Sequence, residues 1–341
     1  MNILVAGNGL DLHHGYKTGY VDFLIHAKRR GWQNTNAFIN FFISELEADG
    51  TKLETYEKMD ASERARCNKW IDCEYEIKEA VDALEKLFSL KGQVSQSEMR
   101  IRAVAKGFKK VLGDNLSSYY ASLRDLNGNY NKGEYIRLLQ RELNDCVEKL
   151  KEYLTEETKD ERGEKIVFKT KQPFHKIICF NYTNIVNKYI EEVKKNEPTS
   201  CYWIHGSIEK NNMVLGMEDD FEDNLDYIFF KKYFQRIQKA TDCYSQGDDK
   251  GMEIHSHFYG CAFGASDAEI MRDLLWYDGY KQDVNATKIN HIYCNGQEDF
   301  EAKVINLISI LDKKTVLSWR ALGRLNFYDI KNDNRDFSEA I

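Results

Sequence analysis

Three polar residues that could do chemistry each stand where an apolar run ends. Asp11 follows the run 3–6, Asn181 follows 176–180, and His205 follows 200–204. Imidazole, with an unperturbed pKa of about 6.5, can take or give a proton near neutrality. A carboxamide can hold a hydroxyl or a water, and a carboxylate can orient either. Neighbouring positions add to the set: Tyr182, Thr183 and Asn184 after the second run, Gly206 and Ser207 after the third, and Gly264, Ser266 and Asp267 after a fourth run at 256–263. The first run leads into Gly7-Asn8-Gly9, which has two uses. The glycines let the chain turn tightly and approach a ligand, with a following helix aiming its N–H groups at a phosphate, or they make an ordinary bend. The pattern is not a full Gly-x-Gly-x-x-Gly, so both uses stay open.

The elements that must position these groups are legible in the periodicity. After the apolar run at 3–6, short β-rich runs at 176–180, 200–204, 256–263 and 289–294 alternate with helical patterns in the second half of the chain, which predicts a parallel sheet built from crossover units. In such a sheet, ligands bind beyond the carboxyl ends of the strands, where the polar residues stand. Between the first two runs the pattern is helical. Ile77, Ala80, Val81, Leu84, Leu87 and Phe88 recur at threes and fours, as do Leu138, Leu139, Leu143, Cys146, Val147, Leu150 and Leu154, and a third set runs from Ile101 to Leu123. The fold class expected is α/β, a Rossmann-like parallel sheet with a large helical insertion. The nucleotide-binding domain is expected to be discontinuous, 1–30 and 166–315, with the insertion at 31–165 and a C-terminal extension at 316–341.

Other residues carry a structural reading beside the functional one. Asn184 and Asp267 are read as helix caps or turn formers, and Ser266 and Glu269 have capping-box spacing. His13 and His14 could start a helix or face a ligand. Trp70, Asp72 and Glu74 form a separate group. Its acids suit a helix N-terminus, and the alternative is that one of them faces the crevice. His255 and His257 put both rings on one face of a strand, but no third ligand is signalled, and no metal is expected. The eight cysteines contain no Cys-x-x-Cys, so reduced, mostly buried thiols are expected. The net charge of -7 argues against nucleic acid as the main partner. No apolar stretch approaches the roughly 20 residues of a membrane span, and no signal peptide opens the chain, so a cytoplasmic protein without membrane contact is expected.

Four motifs resemble the AbiH family of bacterial abortive-infection proteins: Gly7-Asn-Gly-Leu-Asp-Leu-His-His-Gly15 with Tyr20, Asp22 and Phe23; Trp70-x-Asp72-x-Glu74; Phe180-Asn-Tyr-Thr-Asn184; and Ile204-His-Gly206. A fifth, weaker one is the stretch Tyr259 to Asp267, where Cys261 and Ala262 replace the His and Ser of the family pattern. This pattern in turn resembles a distant sirtuin-like NAD-binding fold. Gly7 to Asp11 stands at the sirtuin Gly-Ala-Gly-x-Ser turn, Asp22-Phe23 at Asp-Phe-Arg, Asn181 at the Asn of Gln-Asn-x-Asp, and His205-Gly206 at His-Gly. Thr183 replaces the Asp, and the four-cysteine zinc ribbon is absent, which argues against deacylation. The resemblance implies an antiphage effector that binds NAD and hydrolyses its nicotinamide–ribose bond, an NAD glycohydrolase. It makes His205 the base, Asn181 the group that positions ribose and water, and Asp11 a contact to ribose or carboxamide. Gly7, Asn8 and Gly9 would meet the pyrophosphate, with Asp22, Tyr182, Thr183, Gly264 and Ser266 completing the nucleotide site. The alternatives are a nucleotide sensor without turnover, and a metal-dependent nuclease built on Asp11, Asp72, Glu74 and His205. The helical insertion is the expected contact for a homo-oligomer or a partner defence protein.

Overall fold

An apolar run without alternation fits a strand covered on both faces. In the computed structural model, Asn2–Ala6 is such a strand, β1, with every residue buried. The structure describes residues 1–48, 50, 52–58, 71–89, 132–162, 173–190, 199–217, 225–243, 253–275, 287–332 and 335–336. Strands β2 (Lys176–Cys179), β3 (Ser200–Trp203), β4 (Glu253–Tyr259), β5 (Thr287–Cys294), β6 (Leu325–Asp329) and β7 (Arg335–Asp336) join β1 in one sheet, ordered β3-β2-β1-β4-β5-β6-β7. The first six are parallel and β7 is antiparallel. The order reverses between β1 and β4, as in dinucleotide-binding sheets.

Each face of the sheet has its own core. Ile3, Val5, Ile178, Phe258, Ile292 and Phe327 pack with Met271, Leu274, Leu307 and Trp319, which lie on the helices Ala268–Leu275, Gln297–Leu311 and Lys313–Ala321. Leu4, Ala6, Ile177 and Cys179 pack with Leu10, Ile185 and Val186 on the other face. This alternation along β1 is why the whole run is apolar.

Two boundaries differ from the sequence expectation. The fourth run, expected at 256–263, is a strand at Glu253–Tyr259, because Gly260 turns the chain at φ +69° and Phe263 stands at φ +55°. Cys261 and Phe263 are apolar because they return to the core. Residues after 316, expected as an extension, finish a helix and supply β6 and β7.

The described chain forms two units. The sheet unit is Met1–Lys17, Thr158–Met213 and Lys239–Ile341; the helical unit is Thr18–Glu157 with Val214–Gln238. The helical unit thus starts before residue 31 and includes a second segment that the periodicity did not assign to it. Its helix Lys132–Glu157 buries Leu139, Leu143, Cys146, Val147, Leu150 and Leu154, and Cys73–Ser89 buries Ile77, Ala80 and Val81, as the three-and-four spacing predicts. Asn36 caps the helix Ala37–Leu46 by accepting from the Ile39 N–H at 3.0 Å, while its amide donates to the Glu142 carbonyl at 2.8 Å. The set Ile101–Leu123 and Trp70 lie outside the described residues.

Histidines line one face of β4 and β5. His255 Nδ1 lies 2.9 Å from His291 Nε2, His291 Nδ1 lies 3.0 Å from the Tyr328 hydroxyl, and His257 Nδ1 lies 3.0 Å from the Tyr293 hydroxyl. The His257 and His291 rings stack 4.5 Å apart. The alternation that puts His255 and His257 on one face extends to His291, which pairs with His257 in register. Among the described residues, no cluster of three or more His, Cys, Asp or Glu is arranged to hold a metal.

Burial, then the neighbouring histidines, pulls His257 down to about 3. Burial, then His255, pulls His291 down to about 4; burial, then His13, does the same to His14. These rings stay neutral in the fold and take protons when unfolded, so stability is present above pH 6.5 and is lost as pH falls toward 4 and 3. Each ring should contribute up to about 1.4 kcal/mol per pH unit across that window. Urea unfolding should show a lower midpoint at pH 5.0 than at pH 7.5; equal midpoints would contradict this burial.

Candidate active site

Strand register aligns the polar groups. Ala6, Cys179 and Trp203 share one paired row. Backbone bonds carry the alignment past the strand ends, with the Phe180 N–H on the Ala6 carbonyl at 2.9 Å and the Ile204 N–H on the Cys179 carbonyl at 3.0 Å. Two residues further on, each chain segment presents a polar side chain: Asn8, Asn181 and His205. Asn8 is exposed, while Asn181 and His205 are buried.

Asp11 sits beneath this row and is fully buried. Its Oδ1 accepts from Asn181 Nδ2 at 2.6 Å and its Oδ2 accepts from the Thr183 hydroxyl at 2.5 Å. A carboxylate can only accept, so the Asn181 amide is turned with its NH₂ inward. The Asn181 Oδ1 is buried and without a hydrogen-bond partner among the described residues, which is uncommon for a buried acceptor. Asp11 thus ties Asn181 and Thr183 together from below. Asp11→Ala should leave two buried donors without their acceptor and lower stability by about 2–4 kcal/mol in urea unfolding; an unchanged midpoint would contradict this network.

His205 is held from two sides. Its Nε2 lies 2.9 Å from Asp267 Oδ1, and the Phe180 ring packs edge-on against it with centroids 5.4 Å apart. Asp267 ends the turn Ala265–Asp267, which leads into Ala268–Leu275. The turn reading of Asp267 thus holds for the backbone, but its carboxylate serves the imidazole. Nothing in the local sequence signals that pairing, since 62 residues separate the partners and the path of the loop is set by tertiary packing. Gly206, at φ +75°, could carry no side chain, because a Cβ there would lie 2.1 Å from the Asn212 carbonyl oxygen. Beyond it, the Ser207 N–H donates to Asn212 Oδ1 at 2.9 Å.

The Gly7-Asn8-Gly9 turn does something other than cradle phosphate with its glycine amides. Gly7 N–H donates to the Tyr259 carbonyl at 2.9 Å and Gly9 N–H to the Gly260 carbonyl at 3.0 Å. A Cβ on Gly7 would lie 2.5 Å from the Gly260 oxygen, and one on Gly9 would lie 2.6 Å from the Gly260 Cα. The helix that follows, Gly9–His13, has five residues. The glycines are therefore needed where β1 and β4 meet, and their amides are already engaged there. Of the three, Asn8 keeps an exposed side chain.

The remaining sequence candidates are distributed as follows. Thr183 joins the Asp11 network, and Tyr182 is half-buried, its carbonyl accepting from the Ile208 N–H at 2.9 Å. Asn184 accepts from Asn187 Nδ2 at the start of Ile185–Ile190, a helix-start role. Gly264 and Ser266 lie partly buried on the loop that delivers Asp267. Cys261 turns inward, with its Sγ 3.5 Å from the Val5 carbonyl, and burial pushes its thiol up to about 12. His13 is exposed, and its ring meets the Tyr259 ring edge-on at 5.8 Å. Asp22 lies in the helical unit, in the first turn of Tyr20–Arg29. Asp72 caps Cys73–Ser89, its Oδ1 accepting from the Glu74 and Tyr75 N–H groups at 3.0 and 3.1 Å. Glu74 makes a buried ion pair with Lys232 at 2.5 Å. Both acids thus have structural work within the helical unit.

Among the described residues, no helix is long and apolar enough to cross a membrane. No curated protein and no solved structure matches the chain. A family model described as bacteriophage abortive infection AbiH matches residues 3–276, a span that takes in Asp11, Asn181, His205 and Asp267. The chain therefore belongs to the AbiH family of bacteriophage abortive infection.

Proposed function

We propose that this AbiH chain acts against phage by binding NAD at the row Asn8, Asn181 and His205 and hydrolysing its nicotinamide–ribose bond. The observation that carries this proposal is the pair of built-in constraints at one sheet edge. Asp11 binds the Asn181 amide through its NH₂ and leaves the carbonyl oxygen without a partner among the described residues, and Asp267 holds the His205 ring. An acceptor without a partner suits a ligand hydroxyl better than a phosphate oxygen, which itself only accepts. The sheet order supports a nucleotide at this edge, and the sirtuin-like motifs support NAD among nucleotides.

The chemistry asks little covalent work of the chain. The C1′–N1 bond breaks with its electron pair passing to the pyridinium nitrogen, so nicotinamide leaves neutral. A water oxygen bonds to C1′ of the oxocarbenium-like ribose, and its proton passes to His205. Asn181 Oδ1 accepts from a ribose hydroxyl or from that water and holds it near C1′. Asn8, Tyr182, Gly264 and Ser266 supply further contacts from the neighbouring loops. Exposed Leu225, Tyr233 and Ile237 on the helical unit support a role for that unit in assembly or partner binding.

Mass spectrometry of nucleotides in phage-infected cells tests the proposal. Cells carrying the protein should lose NAD and gain ADP-ribose and nicotinamide; an intact NAD pool during protective infection arrest would overturn it. A second reading, a nucleotide sensor without turnover, is favoured by the burial of the His205 side chain, 4% exposed. In that case the same assay shows protection with NAD intact, and ligand raises the melting temperature of the purified protein.

A further inference from the structure

We propose that Asp267 is the positioning residue of His205: its carboxylate accepts the Nε2–H, fixes that tautomer of the neutral ring, and leaves Nδ1 as the atom that takes the proton of the attacking water. Several contacts commit the loop from Gly260 to this purpose. It leaves β4 through Gly260 at φ +69°, whose carbonyl is tied to Gly9 N–H at 3.0 Å. Cys261 Sγ bonds the Val5 carbonyl at 3.5 Å, and Asn306 Nδ2 donates to the Ala262 carbonyl at 2.8 Å.

Phe263 then adopts φ +55°, a conformation that a bulky side chain avoids, and its ring is buried against Phe258 at 5.4 Å. Strain of this kind persists only where surrounding structure over-determines it, and it gathers at functional sites. Here it brings the Asp267 carboxylate, which opens a new helix, within 2.9 Å of an imidazole delivered by β3. The carboxylate does a second job when the ring takes a proton, because the resulting imidazolium forms beside a full negative charge. Triads use a buried carboxylate behind a histidine in the same way, although through the opposite ring nitrogen.

The tautomer assignment stands on geometry alone, whereas its catalytic consequence rests on the NAD-cleaving function proposed above. The test separates them. Long-range ¹H–¹⁵N spectra of the ligand-free wild-type protein should show neutral His205 protonated at Nε2; protonation at Nδ1 would overturn the proposal without any variant being made. Asp267→Asn, which keeps the volume and removes the charge, should then lower kcat for nicotinamide release by about 10²–10⁴-fold with KM within about twofold. An unchanged kcat would overturn the catalytic role. Should wild type show the Nε2–H tautomer but release no nicotinamide, the NAD-cleaving function fails while the pairing of Asp267 with His205 stands.

Discussion

His205→Ala is expected to reduce nicotinamide release from NAD by about 10³-fold or more while leaving the fold intact. General base catalysis alone accounts for about 10²–10⁴-fold, and the variant also loses the group that Asp267 holds at 2.9 Å. His205 follows β3 at its end and meets the Phe180 ring edge-on, so the loss should fall on kcat and not on secondary structure. Parallel measurement of turnover and circular dichroism checks this. A variant that retains more than a tenth of wild-type turnover would remove His205 from the chemistry, and one that unfolds would make its role structural.

A large effect on stability is expected at Gly260. A Cβ there would stand 2.3 Å from the Leu10 nitrogen, 2.6 Å from the Gly9 carbonyl carbon and 2.8 Å from the Gly7 oxygen, all backbone atoms, at φ +69°. Neither strand can move without breaking the Gly7 to Tyr259 and Gly9 to Gly260 hydrogen bonds. Gly260→Ala should therefore cost about 4 kcal/mol or more, which few single substitutions reach. Gly15 offers an internal comparison. It has φ +80°, but a Cβ there would meet nothing within 4 Å, so Gly15→Ala should cost only the roughly 1–2 kcal/mol of a left-handed backbone. Denaturant unfolding of both variants would measure the difference, and equal costs would show that the β1–β4 junction yields.

The contrast between these glycines also shows what a sequence can and cannot disclose. Gly7 and Gly9 are recognisable as residues that let backbone come close to something. Only the fold shows that the Gly260 turn of the neighbouring strand is among what they come close to. The strands at 3–6, 176–180, 200–204 and 289–294 are legible because each keeps enough aliphatic and aromatic residues to mark it, even where Asn290 and His291 interrupt the last and where β3, at the edge of the sheet, is only partly buried. The fourth run misleads by its length, since Cys261 and Phe263 are apolar for the sake of the core and not of a strand. Strands β6 and β7 escape because Leu325–Asp329 alternates apolar and polar residues over only five positions near the chain end.

Site residues divide along the same line. Asn181 and His205 can be named because each follows a strand-like run directly and Asp11 because it follows the glycine turn of the first, and parallel register then aligns Asn8, Asn181 and His205. Their partners cannot. Asp11 and Asn181 lie 170 residues apart and His205 and Asp267 lie 62 apart, so the hydrogen bonds that decide which atom faces a ligand depend on packing that no local pattern encodes. Asp11 shows this most plainly: it is buried and accepts from both Asn181 and Thr183, two partners that no local pattern signals.

On the proposed function, the row Asn8, Asn181 and His205 is where this AbiH protein cleaves NAD. Chromatographic measurement of nicotinamide and ADP-ribose released by the purified full-length protein, with infected-cell extract added to supply an activator, tests it most directly. Wild type should release the two products in equal amounts, and His205→Ala and Asn181→Ala should release neither. Undiminished NAD with wild type, or equal turnover by wild type and both variants, would contradict the claim.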